Sequence, residues 1–251
     1  MQTNSLITSQ HQNQYRDHGF TVVRGYRDPA TADAIAEHLM ALRKSGPKPG
    51  DFAGQGNAAD DPLNAYPRMI NMGDWDDQAK AWSEVEDLVH IIATLLDDTP
   101  VLRQTMVYFK PPGSRGQGMH QDEQFINETP LVGAWLALDD CDERNGCMQV
   151  VPGSHRCDLL PVEAADTSLS FFAGQTVLPA GMQAQPVVMR AGDLLLFTGK
   201  TIHGSLPNTT TDRFRRAFIC HFVGEHSKAY RPPEEHRMTS FYDGVPKPYA
   251  S

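Results

Sequence analysis

Met119-His120-Gln121-Asp122 sets an imidazole and a carboxylate two residues apart. On an extended strand such a pair faces one side, so a single ion can be gripped by both. A second histidine, His203, follows in Lys200-Thr201-Ile202-His203-Gly204-Ser205, just beyond an apolar stretch ending at Phe197. Two histidines and one carboxylate form a facial ligand set that leaves positions open on ferrous iron, where oxygen and a chelating cosubstrate can bind together. The same donors suit zinc and the activation of water for hydrolysis. A metal-holding sensor or scaffold without turnover is a further alternative. Downstream, Asp212-Arg213-Phe214-Arg215-Arg216-Ala217-Phe218 puts arginine into a β-patterned segment. A buried guanidinium needs an anionic partner, which a carboxylate ligand would supply. Alternation along a strand forbids Arg215 and Arg216 from both pointing inward.

The elements that must hold these groups can be read from periodicity. Residues 1–14 are rich in Gln, Asn, Ser and Thr and read as flexible; Tyr15 to Tyr26 then reads as a helix end, a glycine turn and a strand. Asp28-Pro29 opens a helix over 30–44, with Ala32, Ile35, Leu39 and Leu42 at helical spacing, and a second helix is expected over about 76–96. After Pro100 the pattern changes to period-two and short apolar runs, at 101–109, 131–138, 148–151, 185–189, 194–197 and 216–223. Turn signals such as Asn145-Gly146 and Pro152-Gly153 separate them. Many short strands behind a helical part indicate a β-sandwich or barrel flanked by helices. One domain over 1–251 is expected, with a helical part to residue 99, a β core over 100–224 and an extension over 225–251. The Gly- and Pro-dense loop 46–66 and part of the segment 157–186, which carries Phe171, Phe172 and Leu178, are expected to be mobile without substrate and to close over the site when it binds.

Composition removes several function classes. Lys and Arg number 22 against 31 Asp and Glu, a net charge of −9, and no long basic run exists. Nucleic acid and anionic lipid are therefore not expected partners. The four cysteines form no CxxC pair, the first residues are polar, and no apolar stretch approaches the length of a membrane span. A cytoplasmic, reduced protein acting on a small molecule is the expectation, with no reading of oligomeric state. The acidic stretch Asp139, Asp140, Asp142 and Glu143 reads as a solvated loop, Lys110 as a solvated strand end, and His155, His221 and His226 receive no role.

The segments TMVYFKPPG (105–113), MHQDEQF (119–125), GAWLALDDCDERNGCMQVVPGSHR (133–156) and AGDLLLFTGKTIHGSLPN (191–208), followed by RFRRAF, run in one order over about half the chain. Together they resemble the phytanoyl-CoA dioxygenase family of iron(II)/2-oxoglutarate oxygenases. The resemblance implies a mainly β fold with flanking helices, a double-stranded β-helix (jelly roll, cupin-like) whose N-terminal helices buttress one sheet. It implies Fe(II) held by His120, Asp122 and His203, with 2-oxoglutarate and O2 as cosubstrates. Aligned on Phe-Arg-x-Ala, it gives Arg215 to the distal carboxylate of 2-oxoglutarate, Ser205 to the same carboxylate, and Trp135, Gln104 and Met106 to the cosubstrate pocket. The substrate contacts expected around the metal are Gln121, Glu123, Gln124, Phe125 and Asn127, with Arg156 at the barrel mouth. The implied reaction is hydroxylation of a small molecule, such as a secondary metabolite, amino-acid derivative or phosphonate, with release of succinate and CO2. Relatives that halogenate replace the ligand carboxylate by a small residue; Asp122 is present, which favours hydroxylation. Desaturation, epoxidation and ring formation use the same oxidant.

Overall fold

The computed structural model describes residues 6–229. In chain order it contains α1 (Ser9–His18), β1 (Phe20–Val23), α2 (Pro29–Lys44), β2 (Met69–Ile70), α3 (Asp77–Ser83), α4 (Glu86–Leu96), β3 (Pro100–Tyr108) and β4 (Gln117–His120). Then follow α5 (Glu123–Ile126), β5 (Glu128–Ala137), β6 (Met148–Val150), β7 (Val162–Ala164), β8 (Gly174–Thr176), β9 (Gln185–Val187), β10 (Leu194–Thr198), β11 (His203–Ser205) and β12 (Ala217–Ala229). A six-stranded sheet in the order β1-β10-β5-β12-β3-β2 faces a four-stranded sheet in the order β4-β11-β6-β9, and β7 pairs with β8. From β3 onward the chain passes back and forth between the two sheets, which is the jelly-roll path.

Period two decides which side chains face which layer. In register across the large sheet, Ala134 of β5 lies opposite Leu196 of β10 and Cys220 of β12, and Trp135 lies opposite Leu195 and Ile219. Ala134, Leu196 and Cys220 belong to the core shared with Ala32, Ile35 and Leu39 of α2 and Ile91 and Ile92 of α4. Trp135, Leu195 and Ile219 pack instead with Met148, Val150 and Val187 of the small sheet. The helices thus cover the outer face of one sheet, and the second core lies between the sheets.

Two local readings change. Residues 9–14 belong to α1: Thr8 and His11 form a reciprocal capping pair at its start, and Ile7 is buried, which composition alone does not reveal. The helix expected over about 76–96 is two helices. Val85 is extended between them, while Asp76 caps α3 and Glu86 and Asp87 occupy the favourable first turn of α4. The loop 46–66 is tied down by Asp51 to Arg43, by a bridge between Phe52 and Arg68, and by Asp61 to Arg115. Residues 225–229 continue β12, and the rest of the expected C-terminal extension lies outside the described residues.

The shared core under the helices carries a stability expectation. Leu196 is fully buried at the centre of that layer, so Leu196→Ala should cost about 2–5 kcal/mol through lost burial and the cavity left behind. Urea unfolding should show a lower midpoint with an unchanged slope.

Candidate active site

His120 ends β4, and the backbone then turns into α5, so that Asp122 (φ −61°, ψ −31°) precedes the helix rather than continuing the strand. The carboxylate therefore reaches the imidazole through a turn, not through the strand alternation expected from His-x-Asp. In the small sheet His203 lies directly opposite His120. The Nε2 atoms of both histidines stand 3.6 Å from Asp122 Oδ1, and one ligand atom from each of the three residues falls within 4.8 Å of the others. All three side chains are buried.

Each imidazole is oriented by its own chain. The Nδ1 atoms donate to the carbonyls of Gly118 (from His120) and Thr201 (from His203), both at 2.9 Å, which leaves the Nε2 lone pairs facing the carboxylate. Burial, with His203 beside it, pulls His120 down to about 3, so its Nε2 is unprotonated at neutral pH. Burial alone would raise Asp122, but His203 and His221 hold its carboxyl below the usual carboxylate range. Three convergent buried donors of this kind fit a divalent metal.

His221, unassigned from sequence, supports the third ligand. Its Nε2 donates to Asp122 Oδ2 at 3.0 Å, which leaves Oδ1 as the oxygen between the two ligand histidines. The signal for it was the alternation of β12: Ala217 and Ile219 face the inner core, and His221 is next in that series.

The cavity beside the triad is lined by Met106, Trp135 and Ser205, as expected, and also by Tyr108, Gln117, Met148, Arg215 and His221. Arg215 is 1% exposed; its guanidinium lies 5.3 Å from the Trp135 ring centroid, and its Nε donates to the Gly146 carbonyl. Arg216 turns the other way and forms a double hydrogen bond with Asp139, so that carboxylate is an ion-pair partner and not a solvated loop residue. Gln104 is buried on β3 opposite His221 in register, outside the cavity lining.

Of the expected substrate contacts, Phe125 alone packs on the triad, edge-on to His120 with ring centroids 5.6 Å apart. Gln121 and Gln124 are fully buried braces. Gln121 bonds Lys200 and Leu160, and Gln124 bonds Leu160 and Thr176. Glu123 is buried near Lys200, and burial pushes its carboxyl up to about 7. Asn127 ends α5 in the left-handed region, and Arg156 is exposed on a short turn after β6.

Two cations that sequence patterns did not mark complete the surroundings. Lys110 is 3% exposed, not a solvated strand end. Burial, with Arg215 beside it, holds its ammonium well below the usual lysine range. Arg68 sits among the rings of Phe52, Tyr108 and Phe171, donates to the Tyr108 hydroxyl at 2.7 Å, and leaves Nε and Nη2 buried without partners. Tyr108 in turn donates to Gln117, whose amide lies 3.2 Å from His120 Nε2. Phe171 and Phe172 are buried over this end with Leu63, and Phe172 meets Phe125 edge-on at 5.5 Å between ring centroids, so part of segment 157–186 covers the site.

Comparison with known proteins follows the same lines. The "Phytanoyl-CoA dioxygenase domain-containing protein 1" of Danio rerio is 23% identical over 276 residues, spanning 90% of this chain and 94% of that one. Among solved structures, EvdO2 from Micromonospora carbonacea var. aurantiaca superposes with a TM-score of 0.72 at 22% identity, covering 92% of this chain and 96% of its own. The α-ketoglutarate-dependent epimerase SnoN from nogalamycin biosynthesis superposes with a TM-score of 0.71 at 21% identity, covering 96% and 91%. These likenesses place the fold among the jelly rolls of such enzymes. The phytanoyl-CoA dioxygenase family pattern matches residues 15–217, and the chain belongs to that family.

Proposed function

We propose that the protein is an iron(II)- and 2-oxoglutarate-dependent dioxygenase that hydroxylates a small molecule. The observation that carries this reading is one cavity lined both by the buried His120, Asp122 and His203 and by the buried Arg215, for which no carboxylate partner exists among the described residues. A hydrolytic metal site needs the first group and not the second. EvdO2, of the same fold, has been solved with 2-oxoglutarate, which supports the same choice.

In this reading His120, Asp122 and His203 hold the metal, and His221 fixes which Asp122 oxygen faces it. Iron, when bound, supplies the coupling of cosubstrate decarboxylation to oxidation of a substrate C–H bond. Arg215 and Ser205 anchor the distal carboxylate, and Trp135 and Met106 wall the cosubstrate. Phe125, Phe171 and Phe172 exclude water and alternative hydrogen donors from the metal. The substrate class is a small molecule admitted beneath those aromatic side chains.

Protein reconstituted with Fe(II) and 2-oxoglutarate without oxygen should release succinate on exposure to air, and the zinc form should release none. His120→Ala, Asp122→Ala and His203→Ala should each lose iron and succinate production together; stoichiometric iron and full production in any of them would refute the triad. Arg215→Ala should weaken 2-oxoglutarate binding by about 2–5 kcal/mol, as when one side of a buried charge pair is truncated. Arg216→Ala should leave that affinity unchanged, and calorimetric titration of both variants decides it. His221→Ala should lower iron affinity about 10- to 100-fold, the usual loss when a residue supporting a metal ligand is removed; competition against a chelator reads it directly.

A further inference from the structure

Arg68 stands where the six-stranded sheet ends. Its backbone N–H and carbonyl pair with those of Phe52 at 2.9 and 3.0 Å, and β2 follows it as the edge strand. In register across that edge Met69 lies opposite Val107, and both belong to the core under the helices. Alternation therefore turns their neighbours, Arg68 and Tyr108, to the inner face, toward the sheet that carries the metal ligands. Tyr108 accordingly packs with the core between the sheets.

The Arg68 guanidinium is held in place but not neutralised. It belongs to a residue 6% exposed, and the rings of Phe52, Phe171 and Tyr108 are centred 4.4, 4.7 and 5.1 Å from its central carbon. Such rings stabilise a cation through their faces and supply no counter-charge. Nη1 donates to the Tyr108 hydroxyl, whereas Nε and Nη2 are buried without partners, and no carboxylate pairs with Arg68 among the described residues. Nε and Nη2 form one edge of the guanidinium, and two parallel N–H groups on one edge match two oxygens of a single oxyanion.

The cavity lined by Arg68 is walled mainly by Phe52, Leu63, Tyr66 and Phe171, and no carboxylate lines it. Its two further cations are already engaged, Arg115 with Asp61 and Lys110 with Ser205 and the Leu206 carbonyl. Tyr108 is shared with the cavity that holds the triad, and its hydroxyl leads through Gln117 to His120. An anion seated on Arg68 is thus one aromatic side chain away from the metal site. A buried charge without a counter-ion is costly, so the missing anion belongs to a ligand. In the cosubstrate reading both carboxylates of 2-oxoglutarate are already committed, one to Arg215 and one to chelation of the metal. That leaves Arg68 for the substrate.

We propose that Arg68 is a substrate-binding residue that takes an oxyanionic group, a carboxylate or a phosphonate, on its Nε–Nη2 edge. The substrate is then a small organic acid, oxidised at a carbon close to its charged group. This rests on the reading of the protein as a 2-oxoglutarate-dependent dioxygenase.

The probes are pentanoate, propylphosphonate and the uncharged pentanamide, titrated into protein loaded with Mn(II) and saturated with 2-oxoglutarate under nitrogen. Mn(II) broadens their proton signals only when they bind beside it, so the titration reads affinity and place together. At least one acid should bind about tenfold or more tighter than the amide, and the tighter acid identifies the oxyanion. Arg68→Met should weaken that acid about 10- to 100-fold, the loss expected when hydrogen bonds to a charged acceptor are removed, while moving the amide and 2-oxoglutarate by no more than about twofold. Arg68→Lys keeps the charge but not the paired N–H groups, so its affinity should fall between the two; it also serves should the methionine variant not fold. Acids that bind no better than the amide, acids that bind without broadening, or unchanged acid affinity in Arg68→Met would each overturn the proposal. Loss of 2-oxoglutarate affinity in Arg68→Met with acid binding kept would assign Arg68 to the cosubstrate and overturn it as well. Failure of the unaltered protein to bind 2-oxoglutarate would instead overturn the dioxygenase reading, a result separable from any effect of the variants.

Discussion

In the four-stranded sheet His203 of β11 stands directly opposite His120 of β4, and the whole site depends on that register. Because strand side chains alternate, a slip of one residue would send one imidazole to the opposite face. The pairing is held from several sides. β11 also pairs with β6, with His203 opposite Val150, and Phe197 of the facing sheet packs against the His203 ring at 4.4 Å between centroids. Gly133, one strand over, has no room for a Cβ, which would lie 2.5 Å from the Phe197 ring. Packing in one sheet thus fixes how the two histidines of the other are placed.

Much of this was legible in the sequence, for identifiable reasons. The six apolar runs after Pro100 each overlap an observed strand; those of β5, β10 and β12 are apolar almost throughout because the large sheet is buried on both faces. The triad and Arg215 were legible because their spacing matches a family pattern. Arg68 and Lys110 were not, since neither periodicity nor a motif distinguishes a buried cation from a solvated one. Their burial arises from contacts made across the fold, to Phe171 for Arg68 and to Leu206 for Lys110. Gln121 and Gln124 failed in the opposite sense: nearness in sequence to a metal ligand suggested substrate contacts, but Gln121 before α5 and Gln124 within it both bond the backbone of Leu160.

The charge layout explains why so acidic a chain can recruit anionic ligands. Surface carboxylates such as Asp139 and Asp142 are engaged with Arg216 and Arg213, while Lys110, Arg215 and Arg68 are buried near the site with no carboxylate partner among the described residues. The field inside is set by these few desolvated groups, where each charge acts through a low dielectric, and not by the solvent-screened total.

Arg115 gives the two covering segments a common fate. Its guanidinium donates to the carbonyls of Gln55, Thr167 and Ser170 and to Asn57, and pairs with Asp61. Loop 46–66 and the 157–186 segment are therefore two leaves fastened by one bolt. Neither segment can leave its place without breaking contacts of the same guanidinium, so a change at Arg115 is felt in both at once.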